Sequence, residues 1–99
     1  MTDITLRISV LLSLQGALLG EINSKIRGIT CGWDLRIITM NCFFDGDIDD
    51  DDRESMECVA TEVMADFYDH EVSVECIRLD VPKPLNPHTL LAWVYRRKE

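Results

Sequence analysis

The chain has 99 residues, 46% of them hydrophobic and 28% charged, with a formal net charge of −8 at pH 7. That length suits one domain over residues 1–99, and the composition is that of an ordinary globular fold, not a disordered chain. The charge argues against a general nucleic-acid binder, which needs Lys and Arg to displace counterions from phosphates, and it suits a basic partner.

The opening stretch MTDITLRISVLLSLQGALLGEI has an apolar middle. Asp3 and Arg7 precede that middle without a basic leader, and Ser9, Ser13 and Gln15 interrupt it, so it reads as folded, cytoplasmic protein and as neither secretory signal nor membrane span. Leu11, Leu14, Leu18 and Ile22 recur at helical spacing with Gly20 near the end, which predicts a helix over 11–22. Residues 4–10 are ambiguous, because Ile4, Leu6, Ile8 and Val10 alternate as a strand would. Extension of the helix back through them is the preferred reading.

IRGITCGW and LRIITMNCFF are β-branched, aromatic and alternating, which predicts an antiparallel hairpin with its turn between Gly32 and Leu35. A two-residue turn at Asp34 and Leu35 would set Cys31 opposite Ile38 and Cys42 opposite Arg27. Ile38, Met40, Cys42 and Phe44 then share the core face. After the acidic segment, Met56, Val59, Ala60, Val63, Met64 and Phe67 form the clearest helical stripe in the chain, the side expected to pack on the sheet. EVSVECIRLDVP supplies a third strand, with a bulge expected at Cys76 and Ile77 where the apolar parity changes. All three prolines fall in PKPLNPHT, an extended loop, and LLAWVYRRKE closes the chain as a fourth strand. The expected architecture is α+β in the order α-β-β-α-β-β. It has two layers: a four-stranded antiparallel sheet with both helices on one face, the other face partly open to solvent or a partner.

The segment DGDIDDDDRESME, residues 45–57, gathers most of the charge. Asp45, Asp47, Asp49, Asp50, Asp51, Asp52, Glu54 and Glu57 stand there against Arg53 alone. A calcium loop of the EF-hand type fails at both discriminating places, with Asp50 where glycine is required and Met56 where a bidentate glutamate is required. Helix capping by Asp49 or Asp47 accounts for one or two of the acids. The excess fits either a solubility patch or a surface that offers carboxylates to a cationic partner, and such a surface speeds encounter.

Signs of catalysis are weak. No GxSxG, no phosphate-cradling glycine loop and no HExxH occurs, and His70 and His88 read as exposed or capping residues. The widely spaced Cys31, Cys42, Cys58 and Cys76 predict reduced core thiols, and no cofactor or metal is indicated.

ALLGEI (17–22), FFDGDI (43–48), ATEVMADF (60–67), IRLDVPKPL (77–85) and WVYRRKE (93–99), taken in this order, resemble the blocks of small acidic immunity proteins of contact-dependent growth inhibition and related polymorphic toxin systems. The resemblance implies a non-enzymatic domain that binds a cognate protein toxin, often a nuclease domain with a basic cleft, and involves neither nucleic acid nor membrane. Asp45, Asp47, Asp49, Asp50, Asp51, Asp52 and Glu54 would meet that cleft, with Trp33 of the hairpin turn as the aromatic anchor. The denser aspartate run and the longer stretch between the prolines and the last strand depart from the family pattern. The alternative is a small cytosolic adaptor or homodimer, paired through its open sheet face, whose acidic run serves solubility alone.

Overall fold

The computed structural model describes residues 3–99. Its elements follow the expected order: α1 (Asp3–Ala17), β1 (Ile26–Trp33), β2 (Ile37–Phe44), α2 (Asp50–Asp66), β3 (Glu71–Arg78), a short 3-10 turn (Asn86–His88) and β4 (Ala92–Arg96). The ambiguous residues 4–10 are helical. α1 nevertheless ends at Ala17, earlier than Ile22, and the chain turns through Gly20, whose φ of 81° is left-handed.

The four strands form one sheet in the order β3-β2-β1-β4. β1 is antiparallel to both β2 and β4, whereas β2 and β3 are parallel, so the sheet is mixed. Element lengths explain the parallel pair. α2 has 17 residues and β2 has 8, which gives each a length of about 26 Å. The helix therefore carries the chain back along β2, and β3 starts where β2 started.

The hairpin register differs from expectation by one step of the turn. The Asp34 amide donates to the Ile37 carbonyl and Trp33 faces Ile38, so Leu35 and Arg36 make the turn, Cys31 opposes Met40, and Cys42 opposes Ile29. The Asp34 carboxylate accepts from the amides of Arg36 and Ile37 at 2.7 and 2.8 Å, which favours this register. β3 runs in unbroken register from Glu71 to Arg78, without the expected bulge. Ile77 simply faces away from the helices. The irregularities lie in β1, at Ile26/Gly28 against β2 and at Ile29/Thr30 against β4.

Ile38, Met40, Cys42 and Phe44 are fully buried in the main core with Leu14, Ile29, Met56, Val59 and Val63. α1 packs against α2 and β4, and α2 against β3. Of the α2 stripe, Met64 is exposed and the rest is buried. The chain from 79 to 91 then crosses the opposite face of the sheet, leaving β3 at one end and entering β4 at the other. Thr30 and Phe43 are buried on that face, and Thr30 Oγ1 accepts from the Leu90 amide at 3.2 Å. Asn41 Nδ2 donates to the His88 carbonyl at 3.0 Å. A Cβ on Gly28 would stand 2.7 Å from the Trp93 ring, so glycine lets β4 and the loop close over β1. Arg27, buried, donates to both carboxylate oxygens of Glu99 (2.7 and 2.9 Å) and to the carbonyls of Leu79 and Lys83. This bidentate clamp ties strand, loop and the residues after β4 together and holds the Glu99 carboxyl down at about 2. The centre of the outer face is thus covered, while its edges, including Trp93, stay open.

Candidate functional site

The acidic segment joins β2 to α2. Gly46, at φ 90°, turns the chain out of the sheet, and its amide donates to Asp80 Oδ1 at 2.7 Å. Asp49 is the N-cap of α2. Its side chain accepts from the Asp52 amide at 2.8 Å, and Asp52 accepts in return from the Asp49 amide at 3.1 Å, a capping box built from two aspartates.

Asp52 is the structural member of the run. Only 4% of its side chain is exposed, and it takes an ion pair from Lys25 and a 2.9 Å hydrogen bond from Asn23 Nδ2. Burial opposes its ionisation, yet those donors and the Asp49 amide prevail and leave its carboxyl below the ordinary aspartate range. Its charge is spent inside the fold.

The others divide by exposure. Asp45 is half-buried and accepts from Arg97 at 3.4 Å. Asp47 pairs with Arg78, but 91% of its side chain is exposed, and a pair so wet contributes little and yields readily to a competitor. Asp49 keeps 61% of its side chain in solvent beside Lys25. Asp50, Asp51, Glu54 and Glu57 are exposed and, among the described residues, form no ion pair. Asp50, Glu54 and Glu57 fall at i, i+4 and i+7, so they make one carboxylate ridge along the solvent face of α2.

Trp33 lies elsewhere. It closes β1 just before the turn, half-buried against the core, with the Arg7 guanidinium 5.7 Å from its ring centroid. The acidic segment leaves the sheet at the Ile26/Phe44 end, so the length of β1, about 23 Å over seven steps, separates the two. A groove of about 480 Å³ runs beside Trp33 between Ile4, Arg7, Leu35 and Leu91.

The histidines differ from expectation in one case. His88 is exposed in the loop, but the His70 side chain is buried and joins the hairpin turn to the end of α2. Its Nδ1 lies 2.9 Å from Asp69 Oδ1 and its Nε2 lies 3.0 Å from the Asp34 carbonyl. Both neighbours are acceptors, so only the doubly protonated ring satisfies them. Burial pulls the pKa down, and the two acceptors outweigh it and raise it. All four thiols are free: Cys31 and Cys42 are buried, Cys76 is half-buried, and Cys58 sits exposed on α2 instead of in the core. Burial pushes the Cys31 thiol up to about 11 and raises Cys42 and Cys76. Among the described residues no cluster of three or more His, Cys, Asp or Glu is placed to hold a metal ion, and no helix is long and apolar enough to cross a membrane.

Sequence reasoning missed the cations that engage the acidic segment. Lys25, Arg78 and Arg97 lie 27, 31 and 52 positions from their partners, and no local pattern announces them. It also missed the outer side of α1. Ile4, Ile8 and Leu12 are 71, 52 and 63% exposed.

A search of curated proteins found no match. A family model described as MafI2 immunity protein matches residues 7–99, which include both helices beyond the first turn of α1, all four strands and the whole acidic ridge. By that match, the chain belongs to the MafI2 immunity protein family.

Proposed function

We propose that this immunity protein neutralises a basic, nuclease-type toxin domain by laying the carboxylate ridge of α2 into the toxin's cationic cleft. The supporting observation is the ridge itself. Asp50 and Glu54 of the ridge, and Asp51 beside them, are exposed and engage no cation among the described residues, so their field is directed outward. Asp47 and Asp49 extend it, since their links to Arg78 and Lys25 are solvent-exposed and exchangeable. Asp45 contributes from the rim, and Asp52 contributes as the residue that fixes the direction of the helix start. The protein acts by binding in the cytoplasm, with no chemistry of its own. Trp33 and the groove beside it form a second contact, reached only by a partner that spans the sheet.

Capture of the tagged protein from its producing strain at moderate salt tests the reading, with recovery of a basic toxin domain in equal amount as the expected result. With that domain in hand, Asp50→Asn/Asp51→Asn/Glu54→Gln is expected to slow association about tenfold or more at low salt and to flatten its salt dependence. An association rate indifferent to both salt and substitution would remove the electrostatic mechanism.

A further inference from the structure

Two of the four thiols are direct partners across the sheet. Cys42 of β2 stands beside Cys76 of β3 in the parallel register, and both side chains lie on the helix side, Cys42 in the core and Cys76 packed against it. Neighbouring strands run about 4.8 Å apart, inside the range of about 4.4–6.8 Å that the Cα atoms of a disulfide span. The other pairings fail this requirement. Cys31 opposes Met40, two positions from Cys42 along β2, and that diagonal is about 7–8 Å. Cys58 stands exposed on α2.

The pair is unequal in access. Cys42 is fully buried and its thiol donates to Met56 Sδ at 3.2 Å, whereas Cys76 is half-buried, so a small oxidant reaches Cys76 first. Burial raises both thiols, and at Cys42 the neighbouring Cys76 adds to the rise. At Cys76 the Arg53 charge works the other way, against Glu57, Asp52 and Glu75. A disulfide draws its Cβ atoms to about 3.8 Å, about 1 Å closer than parallel strands hold them. β3 is the strand free to make that move, because it is the edge of the sheet and is bonded to β2 on one side only.

We propose that Cys42 and Cys76 are an oxidisable pair, at which a small-molecule disulfide such as oxidised glutathione closes a reversible bond between β2 and β3. The Cys76 thiolate attacks one sulfur of the oxidant and releases one small thiolate. Cys42, as thiolate, then attacks Cys76 in the mixed disulfide and releases the second. Two electrons pass from the protein sulfurs to the oxidant, and the two cysteine protons end on the two small thiols it yields. Residues 43–75, which hold the acidic segment and all of α2, then form a covalently closed loop. Closure restricts the unfolded chain more than the fold, in which the two sulfurs are already neighbours, so the oxidised protein resists unfolding. None of this depends on the toxin reading.

The test is equilibration of the intact protein with reduced and oxidised glutathione in mildly alkaline buffer, alkylation of the remaining thiols, and peptide mapping by mass spectrometry. A peptide pair joined at Cys42 and Cys76 is expected, and dithiothreitol is expected to part it. Cys58→Ala is expected to leave the joint unchanged, while Cys42→Ala, its fold checked by circular dichroism, should trap the glutathione adduct on Cys76. The joint should survive a ratio of reduced to oxidised glutathione at least about tenfold higher in the native protein than in urea, and by linkage that factor is its stabilisation of the fold. Wild-type thiols that stay reduced throughout, an adduct on Cys76 that Cys42 never displaces, a joint to Cys31 or Cys58, or equal survival in native and unfolded protein would each overturn the inference.

Discussion

The two helices handle their surplus differently. α2 carries too much charge, and the fold absorbs part of it: Asp49 and Asp52 close the capping box, Lys25 pairs with Asp52, and the remaining acids face solvent. α1 carries too much apolar surface, and the fold absorbs one side only. A residue's function is read from what remains after its own chain has used it. Asp52 and Asp50 are neighbours in the same run, but Asp52 is a structural part and Asp50 is free surface.

The largest expected effect separates the buried side of α2 from the outer side of α1. Met56→Ala removes a side chain that is 1% exposed and should cost about 2–5 kcal/mol, whereas Leu12→Ala, at a side chain 63% exposed, should change stability by less than about 0.5 kcal/mol. Urea unfolding of both variants measures this. Equal losses would mean that the outer side of α1 is packed within the chain after all.

A smaller effect separates two aspartates of α2. Asp52→Ala breaks the capping box, removes the acceptor of Asn23 Nδ2 and leaves Lys25 with only its longer contacts to Asp47 and Asp49, so a loss of about 1–3 kcal/mol is expected. Asp51→Ala should cost about 0.5 kcal/mol or less, because it gives up only a helix-terminus charge. Matching midpoints for the two variants would refute the division of the run into structural and free acids.

The smallest effect concerns the junction where α2 returns to the hairpin. The His70 pKa is raised in the fold, so its contribution is fully present below the ordinary histidine value and fades as pH rises through the folded value. The stability of the wild type relative to His70→Gln should therefore be greatest in mild acid and smallest at alkaline pH. A difference that grows with pH would mean that the ring is held neutral, donating to only one of Asp69 and Asp34.

Much of this was legible in the sequence because it is local. The apolar stripe of α2, the cap at Asp49, the hairpin and the order of elements depend on spacings of two to four residues, and those spacings survive in any tertiary context. The concentration of acids between 45 and 57 and its pull toward a basic partner were equally plain. Strand direction was not, since β3 runs parallel to β2 only because α2 matches β2 in length and returns the chain to its start. The burial of Arg27 depends on Glu99, 72 positions away, and the sealing of the outer face depends on a loop whose composition alone suggests exposure. Nor does the alternation of Ile4, Ile8 and Leu12 with buried neighbours say which side lacks a partner, because an apolar residue looks the same in sequence whether the core reaches it or not. The sequence determined the elements and the charge, through local periodicity and composition. The tertiary structure alone decided which carboxylates are consumed by distant cations and which apolar side chains are left uncovered, because both depend on contacts between residues far apart in the chain.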